Sequence, residues 1–191
     1  MKVILASQSP RRKELMDLAK IDYEVIVSDY DENVDKSLSL EEQSKEIAYG
    51  KAKDVFDNTQ GNRIVIGADS LVILDGEQLG KPRDREEAVE MIKKIQGKCH
   101  TVYTSIAVLV ENNEEYKEYK ELHQTKVCIK SMTDEEIENY VESGEPFDKA
   151  GGYGVQTSFA VFVERVEGEY SVIVGLPLCR VYEILKENNG I

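Results

Sequence analysis

The sequence predicts an α/β protein built on a mixed sheet. Short apolar runs with strand character alternate with capped, amphipathic segments. Two long strand-like runs follow one another across a polar turn, as an antiparallel hairpin does. The composition, 41% hydrophobic and 32% charged with 4 prolines among 191 residues, excludes disordered, collagenous and low-complexity classes. A chain of this length favours one domain, residues 1–191, or two small lobes sharing a core. It buries well over half its surface without a disulfide or metal staple.

Residues 3–6 read as a short buried strand. Ser9-Pro10 opens a helix, with Ser9 as N-cap and Pro10 where its missing N–H costs little, and Leu15, Leu18 and Ala19 on one face. Residues 23–27 alternate toward a second strand, and an acidic loop, Asp29-Tyr30-Asp31-Glu32, follows. Ser39 and Glu42 have capping-box spacing before a long helix that runs to about Phe56. Residues 63–68 form a strand, which residues 71–74 continue or follow as a second arm, and Asp75-Gly76 marks a tight turn.

Asp84 and Glu87 start the next helix, whose apolar face is Ala88, Met91, Ile92 and Ile95 and which Gly97 ends. The hairpin is expected over residues 100–111 and 116–130, turning at Asn112-Asn113-Glu114. Thr133 and Glu136 cap a short helix that stops before Gly144. Residues 145–154, rich in glycine and charge, read as loop. Strands are expected near 160–166 and 170–174, then Gly175-Leu176-Pro177 and a C-terminal helix.

A net charge of −13 repels nucleic acid and anionic lipid, so neither is an expected partner of the whole surface. A small anion binds such a chain only where basic groups gather or a cation intervenes. The three cysteines, Cys99, Cys128 and Cys179, lack CxxC spacing and read as reduced packing residues. No signal peptide is visible, and apolar stretches such as 106–110 are far shorter than the ~20 residues of a membrane helix. A soluble, cytoplasmic protein is expected.

Four segments carry chemistry. Ser7-Gln8-Ser9-Pro10-Arg11-Arg12 sets hydroxyls and guanidiniums at a helix N-terminus, where unpaired N–H groups suit a phosphate; a capped surface helix with solvated arginines is the plainer alternative. Gly67-Ala68-Asp69-Ser70 follows a buried run, so Asp69 is placed to hold Mg²⁺ or take a proton from water, unless Asp-Ser is merely a turn. Gly80-Lys81-Pro82 is no P-loop, yet a lysine on a stiff turn suits a phosphate as a point charge. In residues 148–156 the glycines at 151, 152 and 154 permit unusual angles, and Gln156 can read a nucleobase edge; a flexible surface loop explains them nearly as well. Glu32 reads as a metal ligand or part of a solvated loop, Lys51 and Lys53 as ordinary helix lysines, and His100 as structural. With two histidines, a His-based relay or metal site has little material.

Taken in order, residues 5–12, 67–70, 80–82, 148–156 and the closing Val174-Gly175-Leu176-Pro177-Leu178 resemble the Maf family of nucleoside triphosphate pyrophosphatases, also described as septum-formation inhibitors. The resemblance spans nearly the whole chain. It implies an elongated mixed sheet flanked by helices, with two lobes around a cleft, similar to the inosine-triphosphate pyrophosphatases. It also implies hydrolysis between the α and β phosphates to a nucleoside monophosphate and pyrophosphate, with a divalent cation, Mg²⁺ or Mn²⁺. Asp69 matches the family's proton acceptor, and Arg11, Ser70 and Gln156 match positions that distinguish substrates. Their identities resemble the dTTP/UTP subgroup, although that pattern has threonine where Ser70 stands, which keeps the hydroxyl and loses a methyl. On this reading Ser7, Arg11, Lys81 and the amides after Ser9 hold the triphosphate, with Lys51 and Lys149 as further contacts, while Asp69 and Glu32 bind the metal or the attacking water. A homodimer is what the family suggests. The alternatives are a sanitising pyrophosphatase for modified nucleotides and a nucleotide-sensing regulator that binds a cell-division protein.

Overall fold

The structure, a computed structural model, describes residues 1–113 and 115–191. Glu114, in the expected hairpin turn, lies outside the described residues. The seven described strands, β1 (Lys2–Leu5), β2 (Glu24–Val25), β3 (Arg63–Leu74), β4 (Glu77–Leu79), β5 (Cys99–Glu111), β6 (Tyr116–Ile129) and β7 (Val163–Glu167), form one mixed sheet in the order β2-β1-β3-β5-β6-β7, with β4 paired to β3. Helices flank it. The chain divides into two compact units: residues 1–69, 104–123 and 175–191, and residues 70–103 and 124–174.

In the first unit, β1 (Lys2–Leu5) runs parallel to both β2 (Glu24–Val25) and β3 (Arg63–Leu74), with Leu5 opposite Val25 and Ile66. A parallel strand covered on both faces needs apolar residues throughout, which is why Val3, Ile4 and Leu5 read as a run rather than an alternation. Helix α1 (Pro10–Leu18) follows β1. Helix α2 (Leu40–Asp57) opens on a complete capping box between Ser39 and Glu42. Its Ala48, Ala52, Val55 and Phe56 pack with Ile4, Ala6, Val65 and Leu109. The last helix, numbered α6 (Leu178–Glu187), buries Val181, Ile184 and Leu185.

In the second unit, the end of β3 pairs antiparallel with β4 (Glu77–Leu79) around Asp75-Gly76, whose φ values of +52° and +85° fit the expected tight turn. Helix α3 (Arg85–Ile95) buries the four predicted residues, Ala88, Met91, Ile92 and Ile95. Strands β5 (Cys99–Glu111) and β6 (Tyr116–Ile129), neighbours in the sheet, contribute residues 99–103 and 124–129 to this unit. Helix α4 (Asp134–Glu142) carries the predicted Thr133–Glu136 capping box. Three short 3₁₀ turns (Glu145–Asp148, Ala150–Gly152, Ser158–Phe162), β7 (Val163–Glu167) and α5 (Tyr170–Val174) complete it.

Several expectations are corrected. Residues 170–174 are helix, not strand: five residues are too few to show a period, and the β-branched Val172, Ile173 and Val174 argued for the wrong state. The predicted strand 160–166 is 3₁₀ up to Phe162 and extended only from Val163. The strand over 23–27 shrinks to two residues. Leu18 does not face the core; it is 74% exposed, and Met16 fills the buried position beside Leu15. The Ser9 side chain caps nothing. Cys99 and Cys128 are joined as a disulfide rather than standing as separate thiols, because adjacent strands bring them together, with Ile129 N bonded to Lys98 O at 2.9 Å. A 29-residue separation hides that pairing in the sequence.

Candidate active site

The turn from β1 into α1 is organised by Ser7, which is buried. Its Oγ accepts from Ser9 N at 3.2 Å and from Arg12 Nη1 at 3.1 Å. Arg12 Nε donates to Gly175 O at 2.8 Å. The first turn of α1 holds Arg11, Arg12 and Lys13 and no acid. Cations at a helix N-terminus oppose its dipole, so the arrangement favours an incoming anion. Burial lowers the pKa of Arg12, and the nearby Asp69 charge works against that fall.

The acidic loop lies along α2 because three groups fix it there. Ser28 Oγ and Asp29 N both donate to Asp54 Oδ2 at 2.9 Å. The Tyr30 ring rests on Gly50, where a Cβ would stand 2.2 Å from the ring. Glycine inside a helix costs about 1 kcal/mol against alanine, and here it makes room for that ring. Two residues further on, Glu32 Oε1 lies 2.7 Å from Lys51 Nζ.

Lys51 also lies 3.7 Å from Asp69 Oδ1, so one ammonium faces two carboxylates. Its side chain is 15% exposed, which corrects the reading of an ordinary solvated helix lysine. Asp69 sits within β3, whose extended run is unbroken from Arg63 to Leu74, so Asp69-Ser70 is not a turn. Burial raises the pKa of Asp69; Lys51 and Arg12 oppose the rise, as does the neighbouring Ser44 hydroxyl. Neither Ser44 Oγ nor Asp69 Oδ2 completes a hydrogen bond, although both are buried. An orphaned carboxylate oxygen beside cations is a group prepared for a proton or a cation. Among the described residues no group of three or more His, Cys, Asp and Glu side chains gathers to hold a metal. Glu32 and Asp69 nonetheless fit Mg²⁺ or Mn²⁺, since Mg²⁺ at a phosphate site is held by one or two carboxylates plus phosphate oxygens.

The first unit thus assembles Ser7, Arg11, Glu32, Lys51 and Asp69, and adds Arg12, Tyr30, Ser44, Gly50 and Asp54. Arg12 stood in the motif beside Arg11 without a role of its own. Nothing local in the sequence marks the other four, whose importance comes from packing on α2.

The remaining predicted residues belong to the second unit. Ser70 follows Asp69 in β3. Lys81 and Gln156 are exposed, and the Lys149 side chain is 12% exposed. The glycine segment is not a flexible surface loop: residues 151–155 are buried, and Gly151 N donates to Gly80 O at 2.9 Å, linking it to the turn that carries Lys81. His100 is structural, as expected. Its Nε2 is 2.6 Å from the Tyr153 hydroxyl, and burial lowers its pKa to about 4.

Fold and site define an α/β protein equipped to hold an anion beside a buried carboxylate. The chain belongs to the Maf family, described as Maf-like protein, which it matches over residues 2–188. It is 43% identical over 189 residues to the dTTP/UTP pyrophosphatase of Thermoanaerobacter sp. (strain X514), covering 97% of this chain and 96% of that one. It is 42% identical over 184 residues to the dTTP/UTP pyrophosphatase of Bacillus pumilus (strain SAFR-032), covering 96% and 95%. A solved HAM1 protein from Coxiella burnetii covers 98% of this chain at 12% identity and a TM-score of 0.46, too distant a likeness to inform the site.

Proposed function

We propose that this protein is a nucleoside triphosphate pyrophosphatase that hydrolyses dTTP and UTP between the α and β phosphates. The observation that carries this reading is the full-length likeness to proteins named dTTP/UTP pyrophosphatase. The cluster around Asp69 supplies chemistry suited to it. Asp69 accepts a proton from the attacking water, for which a raised pKa makes it a better base than a solvated carboxylate. The water oxygen bonds to the α phosphorus, the bond to the bridging oxygen breaks, and pyrophosphate leaves. Arg11, the amides at the start of α1 and Lys81 grip phosphate oxygens, while Arg12 and Ser7 keep that turn in shape. Such displacements are accelerated mainly by position and charge. Glu32 and Asp69 would hold the divalent cation, whose charge would screen the triphosphate. Lys51 keeps the two carboxylates together in its absence. Ser70 and Gln156 set the choice of base.

The test is a panel of triphosphates (dTTP, UTP, CTP, 7-methyl-GTP and ITP) with Mg²⁺ or Mn²⁺, reading pyrophosphate separately from orthophosphate, with D69N alongside. Pyrophosphate from dTTP and UTP that disappears in D69N is the expected result. Folded protein that turns over none of them refutes the proposal.

A further inference from the structure

Residues 145–157 lie within the second unit and are tied down at several points. At Gly151 and Gly152 φ is +73°, and a Cβ on Gly151 would stand 3.0 Å from Val72 Cγ1. Tyr140 Oη donates to Gly152 O at 3.1 Å. Beyond Tyr153 the chain turns: Thr157 N and Oγ1 both donate to Gly154 O, at 3.2 and 2.9 Å, so Val155 and Gln156 form the corner. A Cβ on Gly154 would meet Thr157 Cγ2 at 2.9 Å and Lys149 Cε and Cδ at 3.1 and 3.2 Å, so the stem of Lys149 packs against that corner. Its ammonium is already engaged, donating to Glu145 O at 2.7 Å and to Asp148 Oδ1 at 2.5 Å.

We propose that Lys149 is a specificity-positioning residue: its stem braces the turn from Gly154 to Thr157 and so sets where Gln156 presents its amide to the base. This rests on the reading of Gln156 as a base-choosing residue. To reach a phosphate instead, the ammonium would leave both of its acceptors and withdraw the stem from Gly154. The turn is also closed on itself, since Thr157 donates to Gly154 O from both its N–H and its hydroxyl. The neighbouring Thr157 and Ser158 hold the Glu145 carboxyl below its ordinary pKa, although burial opposes this. An engaged ammonium beside a closed corner is a framework for a fixed amide rather than for a moving cation.

Lys149→Met, which keeps an apolar stem and removes the charge, separates the two roles from Lys149→Ala, which removes both. Gly154→Ala presses on the stem and, more closely, on the Thr157 methyl, so it disturbs the turn directly; Lys149→Val, which shortens the stem, serves if Lys149→Ala fails to fold by circular dichroism. Steady-state kinetics on dTTP and GTP provide the readout. The brace expects Lys149→Met to keep kcat/KM and base preference within about threefold, since most of the apolar packing survives. Lys149→Ala and Gly154→Ala lower the dTTP-to-GTP ratio about tenfold or more, mainly through KM for dTTP, as a misplaced polar group does. Loss of about ten- to a hundredfold in Lys149→Met on both nucleotides alike would make Lys149 a phosphate contact and overturn the brace. An unchanged ratio in folded Lys149→Ala overturns it too. A wild-type protein that turns over no triphosphate removes the pyrophosphatase reading itself and this inference with it, whereas an active wild type with the wrong variant pattern removes the inference alone.

Discussion

Gly67 in β3 faces the backbone of Ala48 in α2 so closely that a Cβ at 67 would stand 2.2 Å from the Ala48 carbonyl oxygen. That approach sets the distance between helix and strand. It brings Lys51, one turn beyond Ala48, to Asp69, two residues beyond Gly67.

Gly67→Ala therefore inserts a methyl where backbone must move, Ala52 N being only 2.7 Å away as well. Overpacking of this kind costs about 1–3 kcal/mol. The variant is expected to lose that much stability in urea unfolding, and to lose turnover beyond what its unfolded fraction explains, because Lys51 and Asp69 part.

The Tyr30–Gly50 contact gives a gentler version of the same experiment. Gly50→Ala gains helix propensity of about 1 kcal/mol while displacing the ring that holds the acidic loop. Little change in melting temperature and a fall in turnover of about tenfold or more are expected, since misplacing Glu32 by an ångström suffices. Full activity would show that the loop finds its place without Tyr30.

Asp69, the proposed base, burdens the fold. Its folded pKa lies above the unfolded value because burial disfavours the charge. Between the two values the native state binds more protons, so this group's contribution to stability falls as pH rises through that window. D69N replaces a carboxyl that burial penalises when charged with an uncharged amide of the same shape. A melting temperature equal to or above that of the wild type is expected, together with a loss of turnover of about 10²–10⁴-fold. A large drop in melting temperature would assign Asp69 a structural role.

His100 acts in the opposite sense. Its folded pKa of about 4 lies below the ordinary 6.5, so the unfolded chain takes the proton first as pH falls. Stability tied to the neutral ring is complete above pH 6.5 and is lost progressively toward pH 4, about 3 kcal/mol in all. Denaturant titrations from pH 7.5 to 4 should show that loss in the wild type. In His100→Asn, subtracted at each pH, the slope should be absent.

Chelation separates a substrate-borne cation from a structural one. If, as proposed, Glu32 and Asp69 hold the cation together with substrate phosphates, it contributes little to the free fold. EDTA is expected to abolish pyrophosphate release and leave the melting temperature unchanged, with Mg²⁺ or Mn²⁺ restoring activity. A fall in melting temperature on chelation would point to a further, structural site.

Local signals carried most of the elements. Capping boxes at Ser39–Glu42 and Thr133–Glu136, the Asp75-Gly76 turn and the apolar face of α3 act within a few residues, and their physics is complete in the sequence. The candidate site residues Ser7, Arg11, Glu32, Asp69, Lys81 and Gln156 are proposed from their types and their order in the sequence, as anion-gripping groups, carboxylates and, for Gln156, a reader of base edges. Where local physics was silent the reading failed. The apolar residues of α5 had no period, and Leu18 differed from Met16 only in the direction it faced. The tertiary structure alone decided that Lys51 is drawn in between Glu32 and Asp69, that Cys99 meets Cys128, and that the stem of Lys149 underlies the turn of Gln156. The first two depend on the distance between elements far apart in the chain, and the third on how one short segment folds back on itself. For the site that distance is set by packing, by a missing Cβ at Gly67 and Gly50, whose partners no short window of sequence contains.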